Sequence, residues 1–145
     1  MAPMTTNEKQ IIDDDDLYLA EDGSYEYQDR PFTGTARHRT RNGAVVSEIE
    51  YANGLQDGLA RYWYPSGEPL GEEHFRANGR TGLSREWYPT GQLKRETLFD
   101  HSVRVREKQW NERGELVHNY VLTEDQPLFR TLQDFRRMYG DSGAS

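Results

Sequence analysis

The 145-residue chain has no cysteine, which excludes disulfides and thiolate metal sites. Apolar residues are scarce as well. Hydrophobic side chains make up 34% of the sequence and mean hydropathy is -1.02. No run approaches the roughly 18 apolar residues that a membrane-spanning helix needs. The first residues lack the basic start and apolar stretch of a secretory signal. No membrane span and a cytoplasmic location are therefore the expectations. A basic surplus is missing too: net charge is -7, and residues 1–30 hold nine acidic side chains against Lys9 and Arg30. Residues 31–145 balance at 16 acidic and 16 basic. Phosphate contacts require a cationic excess, so direct nucleic-acid binding by the body of the chain is not expected.

What the chain does have is rings and glycines. Aromatic residues reach 12%, including nine Tyr and three Trp, which argues against wholesale disorder. Few aliphatics with many amphipathic rings suggest a thin fold in which large side chains cover a shallow core. The glycines recur. Gly43, Gly67, Gly91 and Gly114 are 24, 24 and 23 residues apart, the signature of a repeat architecture. Each lies between two short aromatic or β-branched runs, as in Asn42-Gly43, Ser66-Gly67, Thr90-Gly91 and Arg113-Gly114. That is the pattern of a β-hairpin with a tight turn. Asn53-Gly54 and Asn78-Gly79 then read as the turns that join one hairpin to the next.

If two residues ending in the turn glycine form each loop, the register follows. Arg37 faces Glu48, Arg61 faces Glu72, Arg85 faces Glu96, and Lys108 faces Asn119 in the last, degenerate unit. Cross-strand pairs of opposite charge are worth about 0.2–1 kcal/mol each. The same alternation puts Leu59, Arg61 and Trp63 on one face, with Ala60, Tyr62 and Tyr64 on the other. Both faces carry rings, which fits a single-layer sheet. The fold class expected is mainly β, an elongated single-layer antiparallel meander of repeated hairpins over residues 17–122. Units this small need stacked neighbours and capped ends. At one end, Thr123 to Gln126 reads as a capping box. Leu128, Leu132, Phe135 and Tyr139 follow at helical spacing, so residues 124–139 are expected to be an amphipathic helix ended by Gly140; with its lead-in, the capping segment is 123–140. At the other end, Asp22-Gly23 and residues 24–27 read as half a unit completing the sheet. Residues 1–16 are expected to be a disordered acidic arm, and 141–145 a disordered tail.

No catalytic constellation emerges. The four histidines occupy four different repeat positions, without metal-ligand spacing. Asp13–Asp16 lacks the alternating plan of a calcium loop, no G-x-S-x-G elbow is present, and the glycines punctuate turns. Neither a cofactor nor enzyme activity is expected. The columns Trp63–Trp87–Trp110 and Tyr64–Tyr88 read first as shallow core. Tyr62, Tyr64 and Tyr88 are also candidates for a partner surface, because Tyr is enriched at interfaces.

Pro31-Phe32-Thr33-Gly34, Tyr51-x-Asn53-Gly54, Tyr62-Trp63-Tyr64-Pro65-x-Gly67 and Glu86-Trp87-Tyr88-Pro89-x-Gly91 resemble the MORN-variant repeats of bacterial YwqK-type antitoxins. The resemblance covers roughly residues 17–122 and leaves out the Asp run and the C-terminal helix. It implies a non-enzymatic protein that neutralises a cognate toxin or effector by binding it. Related repeats also serve as scaffolds or lipid-associated modules, which is the alternative. Specificity is expected where units differ, as at Tyr62 against Glu86, on the C-terminal helix, and on the acidic segment, where Asp13, Asp14, Asp15, Asp16, Glu21 and Asp22 could mimic phosphate in a basic cleft.

Overall fold

A computed structural model describes residues 10–140. In chain order, β1 (Gln10–Asp13) leads into a 3-10 turn, Asp14–Asp16, followed by β2 (Tyr18–Leu19), β3 (Tyr25–Tyr27) and β4 (Arg30–Pro31). The hairpin units then supply β5 (Gly34–Arg39), β6 (Val45–Ala52), β7 (Leu55–Trp63), β8 (Pro69–Arg76) and the short β9 (Gly79–Arg80). After them come β10 (Gly82–Trp87), β11 (Leu93–Asp100), β12 (Val103–Trp110), β13 (Leu116–Val121) and one helix, α1 (Pro127–Tyr139). The units build a ten-stranded sheet in the order β1-β5-β6-β7-β8-β10-β11-β12-β13, with β9 beside β8, and β2-β3-β4 form a separate three-stranded sheet.

The expected register holds in every hairpin: Arg37 pairs with Glu48, Arg61 with Glu72, Arg85 with Glu96 and Lys108 with Asn119. The loop that produces it differs from expectation. Tyr64 N–H donates to Glu68 O at 2.9 Å and Gly67 N–H to Tyr64 O at 2.8 Å, so the loop is the three residues 65–67. A three-residue loop alone would offset the strands by one. A bulge between Tyr62 and Trp63 takes up that residue, and the other hairpins carry the same bulge. Loop and bulge cancel, which is why counting a two-residue loop gives the right partners.

Between hairpins the turns are tight, with both central residues at positive φ: Asn53-Gly54, Ala77-Asn78 and His101-Ser102. The second of these corrects the expected Asn78-Gly79 by one residue, since Gly79 already pairs with Arg76. Successive turns are tied to each other. Gln56 N–H donates to Asn78 Oδ1 at 2.8 Å, and Arg80 N–H to Ser102 Oγ at 3.1 Å.

Residues 10–16, expected to be disordered, belong to the fold. β1 lies parallel to β5, with Ile12 opposite Ala36 and Asp13 opposite Arg37. Glycine makes this approach possible, because a Cβ on Gly34 would stand 2.3 Å from Gln10 O. The parallel pair also departs from an all-antiparallel meander. Residues 24–27 do not extend the large sheet; they form the middle of the small one, tied back through Tyr25 N–H to Gly54 O at 2.8 Å. The rest of the expected arm and the tail at 141–145 lie outside the described residues.

Apart from Ala60 on β7, the buried apolar side chains gather at the two ends. Ile12, Phe32, Ala36 and Tyr51 form one cluster, and Val103, Leu122 and Leu132 the other. The tryptophans, expected in a shallow core, belong to neither cluster and are half-buried. Helix α1 begins at Pro127, later than expected, because proline suits the first helical position. Gln126 is its N-cap and makes no side-chain cap bond. The capping box closes only in reverse, with Thr123 N–H donating to Gln126 Oε1 at 2.8 Å. Gly140 ends the helix at φ 76.

Ala77 sits at φ 45 without the glycine or asparagine that such a turn favours. Ala77→Asn is expected to stabilise the fold by about 0.5–1 kcal/mol, and to raise the thermal midpoint by about 1–4 °C, measured by a circular dichroism melt.

Candidate partner-binding surfaces

Cα partners share a face of a sheet and neighbours along a strand alternate, so the pairing separates a front from a back. On the front, one row crosses the whole sheet: Asp13, Arg37, Glu48, Arg61, Glu72, Arg85, Glu96, Lys108, Asn119. Charge alternates along it until the final amide. Arg37 Nε lies 2.8 Å from Glu48 Oε1, and Arg85 Nε lies 2.9 Å from Glu96 Oε2 while its Nη1 is 3.4 Å from Glu72 Oε1. The row is scaffold, since every middle unit contributes the same pair.

The back face is covered at both ends by the apolar clusters and α1, and is open between them. There Tyr62, Gly71, Glu86 and Arg95 are successive partners across β7, β8, β10 and β11. Tyr62 and Glu86 thus share one cavity of about 420 Å³, together with Ser84, Arg95, Thr97 and Glu107. Burial, and then the charge of Glu73, pushes the Tyr62 hydroxyl above its usual range. Glu86 Oε2 is 3.5 Å from Arg95 Nε. The Ser84 hydroxyl is buried without a hydrogen-bond partner, and Arg95 Nε makes no hydrogen bond beyond that ion pair.

Sequence reasoning missed Glu107. It is 5% exposed and accepts hydrogen bonds from the Thr97 hydroxyl at 2.9 Å and Gln109 Nε2 at 2.8 Å. Burial alone would raise its carboxyl. The bonds from Gln109 and Thr97, with the charges of Arg104 and Arg95, outweigh burial and hold it below the ordinary value. A signal existed in the sequence: counted from the turn glycines, Glu107 stands where the other units have Ala36, Ala60 and Ser84.

Tyr64 and Tyr88 go elsewhere. The Tyr64 hydroxyl donates to Trp87 O at 2.7 Å and the Tyr88 hydroxyl to Trp110 O at 3.0 Å, each tying its unit to the next. They do not join Tyr62 and Glu86 in the back-face cavity.

The acidic candidates all lie in the N-terminal segment on either side of β2. Asp13 Oδ1 lies 3.8 Å from Arg39 Nε, and Asp14 Oδ1 lies 3.0 Å from His38 Nδ1. Asp14, Asp15 and His38 offer one ligand atom each within 4.8 Å, a grouping that the ion pair accounts for. Asp22 Oδ1 accepts from the Ser24 hydroxyl at 2.6 Å, which holds its carboxyl below the usual range. Asp15, Asp16 and Glu21 are exposed. Between them β2 presents Tyr18 and Leu19, 66% and 56% exposed.

A meander of hairpins in a 24-residue register, tied turn to turn, defines a MORN-type repeat protein. The family model for the MORN repeat variant matches residues 56–77 and 80–101. The chain is 46% identical over 138 residues to the immunity protein YwqK of Bacillus subtilis (strain 168), covering 91% of this chain and 90% of that protein. It belongs to the YwqK-type family of MORN-repeat proteins. No helix among the described residues is long and apolar enough to cross a membrane.

Two tests follow from these contacts. Tyr64→Phe and Tyr88→Phe are each expected to lower stability by about 0.5–1.5 kcal/mol in urea unfolding, with partner affinity unchanged. Lost affinity at full stability would instead put the hydroxyls against a partner. His38 titrates above 6.5, chiefly because of its hydrogen bond to Asp14 and then that carboxylate's charge. A raised folded value means the pair contributes fully below pH 6.5 and fades as pH rises through the folded value. Thermal melts from pH 6 to 8 should therefore show a falling midpoint, and His38→Gln should flatten that fall.

Proposed function

We propose that the chain is a non-catalytic immunity protein that neutralises a cognate toxin by covering it, with the acidic N-terminal cap as a principal contact. The observation that carries this reading is the placement of charge. Residues 10–30 hold eight acidic side chains against Arg30, which is the whole net charge of the chain. They are held on an ordered cap rather than a loose arm. Exposed Tyr18 and Leu19 inside that acidic surface suit the anchor-and-rim arrangement of a protein interface, and its sign suits a basic partner such as a nuclease cleft. The kinship with a protein named for immunity supports the same reading.

Each of the four histidines is engaged within the fold: His38 with Asp14, His101 with Asp100, His118 Nε2 at 3.8 Å from Glu107 Oε2, and His74 Nδ1 at 3.0 Å from Leu83 O. A membrane-peripheral scaffold is disfavoured, because α1 already turns Leu132 and Phe135 onto the sheet and the body has no cationic excess to meet anionic lipid.

The test is co-purification with the product of the neighbouring gene, followed by calorimetric titration at several salt concentrations. Deleting the acidic segment would remove β1 and disturb folding, so charge-neutralising substitutions are preferable. Asp15→Asn, Asp16→Asn, Glu21→Gln and Asp22→Asn together are expected to weaken binding about tenfold or more and to flatten its salt dependence. A complex of unchanged affinity would overturn the cap as the contact, and a toxin left active inside the complex would overturn occlusion.

A further inference from the structure

Among the described residues, the last strand of the large sheet has no neighbour on its outer side. Edge strands are usually protected by shortness, charge, proline or a covering element. At the opposite edge β1 is only four residues long and runs into the Asp14–Asp16 turn. β13 has none of these devices. Its sequence, Leu-Val-His-Asn-Tyr-Val, contains no carboxylate, lysine, arginine, proline or glycine. Leu116, Val117 and Val121 are 51%, 61% and 57% exposed. Helix α1 does not shield the edge. Its buried side chain Leu132 packs with Leu122 and Val103, and Arg136 Nε is anchored 2.8 Å from Asp100 Oδ2, on β11.

The bulge in β13 is no obstacle to a further strand. β6, β8 and β11 are the equivalent second strands of their hairpins and carry the same bulge, and each accepts the next strand antiparallel as far as the residue after the bulge, the equivalent of His118. β13 is the second strand that lacks a follower.

One residue identifies the follower. Leu122 N–H donates to Val105 O at 2.7 Å, so by alternation the N–H and C=O of Val121 and Asn119 point outward. Asn119 occupies the column that holds Glu48, Glu72 and Glu96 in the other units. Each of those glutamates lies between two cations, and Asn119 has Lys108 on its inner side only. A glutamate here would still gain from Lys108. The charge is missing where a second strand would come to lie, and like charges directly opposite are destabilising. Two asparagine amides facing each other can instead exchange hydrogen bonds.

We propose that β13 pairs antiparallel with β13 of a second copy of this chain, about a two-fold axis at Asn119, joining two ten-stranded sheets into one. An interface of this kind is self-complementary: Tyr120 of one copy aligns with His118 of the other, and Asn119 meets itself. The inference does not depend on the immunity reading, and it leaves both acidic caps free at the far ends of the joined sheet.

Light scattering behind size exclusion, run from micromolar to sub-millimolar protein, should give twice the 16.9 kDa of one chain. Asn119→Glu restores the residue of the other units. It should keep the circular dichroism spectrum of the folded chain and weaken self-association at least about tenfold, with any fall in thermal midpoint confined to concentrations at which the wild type is dimeric. Because the chain has no native cysteine, Asn119→Cys should oxidise to a covalent dimer, whereas Arg41→Cys on the first hairpin loop should form no covalent dimer. A monomeric wild type throughout that range overturns the proposal. So does an Asn119→Glu protein that associates as tightly as wild type.

Discussion

A sheet built by adding hairpins has little interior, so its cohesion depends on one condition: each hairpin must present its outer edge to the next in the same register. A slip of one residue would move every side chain to the opposite face. The charged row would then leave the front, and Ala36, Ala60 and Thr97 would leave the back. Two features of each unit hold the register. The three-residue loop and the one-residue bulge set it within a hairpin, and the alternating cations and carboxylates continue it from unit to unit. The individual ion pairs are partly exposed and weak. Their value lies in repetition, because a shifted strand loses its partners on both sides together.

The same condition creates the problem of the ends, and the two ends differ. At the first strand pair, β1 closes the sheet in parallel, anchored by Ile12 against Ala36 and covered by the small sheet around Phe32 and Tyr51. At the last, α1 covers the back face and leaves the edge alone. Apolar burial is therefore concentrated at the ends, where an outside element can lie across the face. The middle of the sheet holds polar groups that only a paired or partnered environment satisfies, as Glu107 is by Thr97 and Gln109.

Register and face were legible in the sequence because they depend on spacing, and spacing survives in one dimension. Gly43, Gly67, Gly91 and Gly114 fix the period, and the Arg–Glu pairs fix which residues meet. The loop was miscounted because its extra residue is returned a few positions later, so no pairing in the body records it. β1 was missed for a different reason. Four residues with one inward apolar side chain, Ile12, give no periodicity to find, and four consecutive aspartates read as solvated chain. The hydroxyls of Tyr64 and Tyr88 were legible as a column but not as ties, because their acceptors are backbone carbonyls more than twenty residues away. As candidates for a site, the Tyr62–Glu86 contrast and the acidic residues were visible in the sequence. Tyr18 and Leu19 were passed over because a two-residue strand carries no pattern.

Repetition also limits where recognition can occur. A column that reads the same in three units offers a partner three equivalent registers, so it cannot by itself select one. Selection requires positions where the units disagree, and these are few. On the back face they are Tyr62, Gly71 and Glu86 beside Glu107. At the ends they are the acidic cap and Asn119. The two ends differ in charge, one acidic and the other with an uncharged edge strand, which bears on what each can meet. All of the net charge lies in residues 10–30, so two copies would repel there and a basic protein would be drawn in. β13 carries no carboxylate, lysine or arginine, so the cost of bringing two copies together is lowest at that edge. A repeat that is neutral along its body separates these contacts by placing charge at one end and withholding it at the other.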